Sequence, residues 1–317
     1  MKITKTEHFG IQRKIVASTT SDSWQNIPHV GYIYEADVTD FFTKYKEMNS
    51  EYKSKITFNT LMLKVIIEGL KAAPQLNAHI EYNKKLVRGR IDTLENIDVS
   101  MPMILPNGEM MTVRLQNFEN KNLDEMSRYI EDVRRRAENT NIREAMYSVS
   151  IHDTIKGLKN GKILKTIYRL YGSKTGSHKV KNLKGKEKKA YYSILECDRL
   201  TREDLQQGSV TISNVGSTYL GGSGSVSLLE IVPPQVSAFA IGSIQKKPAV
   251  ITDENGNDKI AVRSMLPICI AFDHRALDFA DVVPFMKKLD EIFQNPDVIF
   301  SWRGEEKMLK SVKHSVA

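Results

Sequence analysis

Residues 267–278 read PICIAFDHRALD. The first six are apolar and of strand length, and the next three put an acid, a histidine and a base in one turn. A helical period follows over 280–293. Of the seven histidines, His274 is the one held at the end of a strongly apolar strand with charged neighbours. Position alone leaves two uses for it: a hydrogen-bonded histidine that shapes the turn, or the base of a site.

Strand signals lead back from this turn over 260–272, 236–244, 209–215 and 190–197. Near the start, residues 29–37 (HVGYIYEAD) alternate as a strand, and 57–70 place Phe58, Leu61, Met62, Val65, Ile66, Gly69 and Leu70 on one helical stripe. Strands are predicted again at 77–82 and 85–88 on either side of Asn83 and Lys84. Two more are predicted at 97–104 and 110–115, with Pro106-Asn107-Gly108 as their turn. Asn122 and Glu125 carry the capping-box spacing ahead of a helix with Leu123, Met126, Tyr129, Ile130, Val133 and Ala137. From 141 to 189 the pattern weakens to a helical run with Ile151, Ile155, Leu158, Ile163, Leu164, Ile167 and Tyr171, then turns lysine-rich, and reads as an insertion. The expectation is one α+β domain over 1–300 and a basic tail over 301–317.

A chain of 317 residues, 41% hydrophobic and without a Pro/Gly-rich linker, can build one large core. No apolar signal core opens it and no run approaches the roughly 18 apolar residues of a membrane span. A cytoplasmic protein with no membrane partner is therefore expected. Cys197 and Cys269 stand far apart and outside any CxxC pair, which predicts buried thiols in a reducing compartment and no metal site. The formal charge of +8 is permissive: six lysines face one glutamate over 179–189, but no aromatic residue lies among them to stack on a base. A solvated loop is expected there, with no nucleic-acid partner.

A second candidate is Ser213 in TISNVG (211–216), a strand end running towards Gly221, Gly222 and Gly224, where a hydroxyl and backbone donors could meet a developing oxyanion. An ordinary Ser/Asn turn has the same composition. A serine nucleophile elbow is absent, since Ser225 stands where its last glycine belongs after Gly221 and Ser223. The nearest approach to a phosphate-binding loop, Gly157 to Gly161 with Lys162, has the wrong spacing and no Ser/Thr after the lysine.

Asp273-His274-Arg275-Ala276-Leu277-Asp278 resembles the DHRxxDG signature of the dihydrolipoyl acyltransferase catalytic domains of 2-oxo acid dehydrogenases, and TISNVG resembles their second signature. Pro233-Pro234-Gln235, the strand through Ala240 and Ile244, Arg13-Lys14, Pro28-His29, Asp37 and Lys55 to Phe58 stand where that family has its landmarks, so the resemblance covers about 12–296. It implies a chloramphenicol-acetyltransferase-like fold, an α+β two-layer sandwich of a mixed sheet with helices packed on one face, associating as a homotrimer with sites between subunits. It also implies roles. His274 would be the general base for a thiol of coenzyme A or dihydrolipoamide, Ser213 the oxyanion donor, and Asp278 a structural aspartate that holds the catalytic loop through an arginine near the N-terminus, with Arg13 the positional match. Coenzyme A enters as acyl-CoA substrate, and the partners implied are an acyl acceptor and lipoyl-carrier or dehydrogenase proteins.

Three departures bear on function. Phe279 replaces the signature's glycine, the insertion and tail are extra, and no lipoyl domain precedes the core, so a lipoyl group is expected only in trans. Two alternatives stand beside the thioester reading. A small-molecule O- or N-acetyltransferase of the same fold is disfavoured by Asp273, where that branch has a second histidine. A catalytically silent scaffold is favoured by Phe279 and opposed by the intact His274, Ser213 and Asp278.

Overall fold

The computed structural model describes residues 1–104, 110–159, 163–176, 179–180, 182–218 and 221–304. Helix α1 (Ile11–Asn26) leads into strand β1 (His29–Asp37), helices α2 (Thr39–Glu51) and α3 (Phe58–Ala72), the hairpin β2 (Ala78–Asn83) and β3 (Arg88–Thr93), the pair β4 (Val99–Ile104) and β5 (Met110–Leu115), and helix α4 (Leu123–Glu138). Helices α5 (Ile142–Lys159), α6 (Ile163–Lys174) and α7 (Gly185–Tyr192) follow. The chain then returns through β6 (Val210–Asn214), β7 (Ser237–Ile241), β8 (Gln245–Thr252) and β9 (Asp258–Asp273) to helices α8 (Phe279–Gln294) and α9 (Val298–Ser301).

Seven strands form a mixed sheet in the order β1-β9-β7-β6-β4-β5, with β8 paired to the outer half of β9. The β4–β6 and β6–β7 pairs are parallel, and the other pairs in this sheet are antiparallel. Strand alternation sorts the side chains by face. Ile268, Ile270 and Phe272 of β9 and Phe239 and Ile241 of β7 join the main core beneath α3 and α8, while Ala271 and Ala238 face a small cluster with Ile27 and Ile231. Helices α3 and α8 meet at Gly69, where a Cβ would lie 2.6 Å from the Phe285 ring, so only glycine permits this spacing. The expected α+β sandwich with helices on one face of a mixed sheet is what forms.

Local signals held where the pattern was long. Thr57 caps α3 by accepting from the Thr60 amide, and Asn122 and Glu125 complete the capping box of α4. Short β-rich stretches were less informative. Residues 190–197 are not a strand: Ala190 to Tyr192 finish α7, where the Tyr191 and Tyr192 rings flank the Arg199 guanidinium and the Tyr192 hydroxyl donates to buried Glu144. The strand expected at 85–88 begins instead at Arg88, because Asn83 Oδ1 accepts from the Lys85 and Leu86 amides and folds that stretch into the turn. The turn expected at 106–108 lies outside the described residues, as does the chain beyond 304. Arg303, at the start of the expected tail, is buried, with its guanidinium forked onto Asp124 at 2.7–3.1 Å and stacked on Tyr52. Cys197 is exposed rather than buried, since 196–198 form an outer turn, whereas Cys269 lies inside the sheet.

Candidate active site

The turn after β9 is locked by its own charged residues. Asp273 is fully buried, its carboxylate receives the Arg275 guanidinium at 2.6–3.1 Å and the Arg275 amide at 2.9 Å, and the Arg275 guanidinium lies over the Tyr82 ring. The amides of Ala276 and Leu277 turn back onto the Asp273 carbonyl. These bonds hold His274 at the C-terminal end of β9, with its amide donating to the Pro28 carbonyl at 3.1 Å.

The imidazole is half exposed, and its Nδ1 lies 3.1 Å from the Leu277 carbonyl oxygen. A carbonyl only accepts, so Nδ1 carries a proton, and the tautomer this bond selects is the one with a bare Nε2. Nε2 has no hydrogen-bond partner among the described residues. Asp278 caps α8 with its amide donating to Asp281, and its exposed carboxylate stands 3.5 Å from Nδ1 of His274. Phe279, the residue in place of the signature's glycine, is exposed and meets the Tyr32 ring edge-on, with centroids 5.2 Å apart.

Ser213 is part-buried on β6, after buried Ile212 and on the sheet face opposite α3 and α8, and its hydroxyl has no partner among the described residues. The strand is pinned around it. Thr211 donates to Gln235, whose amide nitrogen donates to the Gly208 carbonyl, and Asn214 bridges to Asn59 at 2.6 Å. The exit at Gly216 passes so close to the Gly242 carbonyl that a Cβ would lie 2.3 Å from its oxygen. Gln235 and Asn59 are supports that sequence reasoning did not single out; the PPQ tripeptide was the only signal for the first.

The register separates the two candidates within one chain. Ser213 pairs with Ala240 and Ala240 with Cys269, five residues before His274. At 3.3–3.4 Å per residue and about 4.8 Å per strand, His274 and Ser213 are roughly 15–20 Å apart, whereas one reaction centre needs each within a hydrogen bond of neighbouring atoms. Arg13 is exposed on α1 and forms no ion pair with Asp278, so the single chain does not link them. Burial pushes the Cys269 thiol above its usual range, which leaves it an inert packing group.

A family model described as 2-oxoacid dehydrogenases acyltransferase (catalytic domain) matches residues 2–150 and 185–301. The chain belongs to this family. Among curated proteins, the lipoamide acyltransferase component of the branched-chain alpha-keto acid dehydrogenase complex of Bacillus subtilis (strain 168) is 25% identical over 290 residues, covering 90% of this chain and 51% of that protein. The chain spans about half the length of the curated relatives it matches over most of its length. The fold is shared with a probable dihydrolipoamide acetyltransferase from Listeria monocytogenes 4b F2365 (TM-score 0.60, 21% identity, covering 96% of this chain and 98% of that one). It is shared also with the cubic core of the pyruvate dehydrogenase multienzyme complex (TM-score 0.61, 18% identity, 94% of each chain). The acyltransferase family model passes over 151–184, which contain the end of α5 and all of α6.

Proposed function

We propose that this chain transfers an acyl group between coenzyme A and a thiol acceptor such as dihydrolipoamide, at sites shared between the subunits of a closed trimer. The observation that carries the reading is the bond from His274 Nδ1 to the Leu277 carbonyl, which leaves Nε2 free to accept a proton. His274 Nε2 takes the proton of the attacking thiol, whose ordinary pKa of about 8.5 is within reach of a neutral imidazole. The thiolate adds to the thioester carbonyl, and the Ser213 hydroxyl donates to the resulting oxyanion. Collapse expels the second sulfur, which recovers the proton from His274, so one thioester is exchanged for another without acylating the protein. Asp278, beside Nδ1, favours the transient imidazolium, and Arg13 acts across a subunit boundary in support of this turn.

The distance between His274 and Ser213 in one chain supports a shared site, because cyclic threefold contacts join unlike faces of successive subunits. Bare Nε2 and an unengaged Ser213 hydroxyl also suit a thioester better than a silent scaffold does. Asp273 is spent on Arg275, which speaks against the small-molecule branch. The relatives' names place them in dehydrogenase complexes, and lipoyl-carrier and dehydrogenase partners are proposed for this chain on that ground.

Random reassembly of His274→Ala with Ser213→Ala subunits tests the reading. If the two residues meet across a boundary, roughly a quarter of sites regain both groups, and exchange between acetyl-coenzyme A and dihydrolipoamide rises well above either parent. A mixture no more active than the mean of its parents, with trimers verified by sedimentation, refutes the shared site.

A further inference from the structure

The segment passed over by the family model combines a concentration of positive charge with an outward apolar helix face. Nine of the chain's 46 Lys and Arg residues and one of its 38 Asp and Glu residues lie in 151–184. That leaves 37 of each elsewhere, so this segment alone accounts for the formal charge of +8. It also turns its apolar residues outward. On α6, Ile163, Leu164, Ile167, Tyr168 and Tyr171 are between 52% and 76% exposed, while Thr166 is buried. Ile155 and Leu158 at the end of α5 are exposed beside them. Lys14 of α1 ties α6 to the body by donating to the Gly172 carbonyl at 2.7 Å, and within the segment the Val180 amide donates to the Ser173 carbonyl.

We infer that α6, with the end of α5, is a docking surface for an anionic lipid bilayer. Aliphatic side chains outward on a helix within a strongly basic segment match what a bilayer interface offers: an acyl boundary for Ile and Leu, a headgroup level for Tyr, and negative charge for Lys and Arg. Charge argues against the same segment of a second copy, since two +8 surfaces repel and the remainder of each chain is balanced. A nucleic acid would satisfy the lysines and tyrosines but leave Ile163, Leu164 and Ile167 in water. The expectation of no membrane partner came from the lack of a spanning segment. Among the described residues no helix is long and apolar enough to cross a membrane, but a surface helix needs only an outward apolar face.

The test is co-sedimentation of the full chain with vesicles of roughly one-third phosphatidylserine in phosphatidylcholine, beside vesicles of phosphatidylcholine alone. Binding to the anionic vesicles is expected to be at least tenfold stronger and to weaken on raising salt from about 0.1 M to 0.5 M. The double variant Leu164→Asp/Ile167→Asp should lose at least tenfold of it with acyl exchange unchanged, and Leu164→Ser/Ile167→Ser, which adds no charge, should lose it too. Equal binding to both vesicles, or anionic binding that survives both variants, overturns the proposal. So does self-association abolished by the variants without lipid binding, which would assign the face to a second copy. Duplex DNA binding that the variants leave intact, with no lipid binding, would assign the segment to nucleic acid.

Discussion

Helices α3 and α6 carry similar apolar spacing and meet opposite fates. In α3, Leu61, Met62, Val65 and Ile66 are fully buried between the sheet and α8; in α6, Ile163, Leu164, Ile167 and Tyr168 stand in solvent. Periodicity says that a helix has an apolar face; it does not say what that face meets. The difference lies in neighbours. α3 packs against α8 within the main core, whereas α6 stands in a segment outside the family pattern and is tied to α1 by the Lys14–Gly172 bond.

The largest effect is expected at His274 in the sheet body: His274→Ala should lower acyl exchange by about 10²–10⁴ and barely move the melting temperature, because the half-exposed ring gives up one hydrogen bond, to the Leu277 carbonyl, and the bare Nε2. A steady-state assay beside a thermal melt checks both halves. Next comes Arg303→Ala, which removes the guanidinium from the buried Asp124 carboxylate and should cost about 3–5 kcal/mol of stability, read as a lowered denaturation midpoint in urea.

A smaller effect belongs to Asp37 at the end of β1. Burial acts to raise its pKa, but hydrogen bonds from Thr39 and Arg263 outweigh burial and hold the carboxyl below its usual range. A depressed pKa contributes stability that is present above the ordinary aspartate range and is lost as pH falls through the folded value. Asp37→Asn should therefore cost roughly 0.5–1 kcal/mol at neutral pH, with the gap from wild type closing in acid; stability curves at several pH values show whether it does. The smallest effect sharpens the contrast. Leu164→Ser in α6 should change stability by less than about 0.5 kcal/mol, while Leu61→Ala in α3 should cost roughly 2–5, measured in the same urea titration.

The candidate site divides along the same line. The turn at 273–278 was legible because an apolar strand, a charged turn and a capped helix are each local patterns, and together with TISNVG they marked His274 and Ser213. The Leu277 carbonyl that sets the His274 tautomer was not legible, since a backbone acceptor has no letter of its own. Nor was the failure of 190–197 to become a strand, which depends on Glu144 and Arg199, partners that the fold brings up from elsewhere.

By itself the sequence determined the α+β class and the main strands and helices of the sheet body, and it marked His274 and Ser213 as candidates. Hydrophobic period, caps and turn residues act over a few neighbouring positions and need no knowledge of the rest of the chain. Tertiary structure alone decided which apolar faces are covered, that Arg303 belongs to the buried body, and that His274 and Ser213 lie too far apart to meet in one chain. Those outcomes follow from strand order and register, and residues distant in sequence share no local period through which one could announce the other.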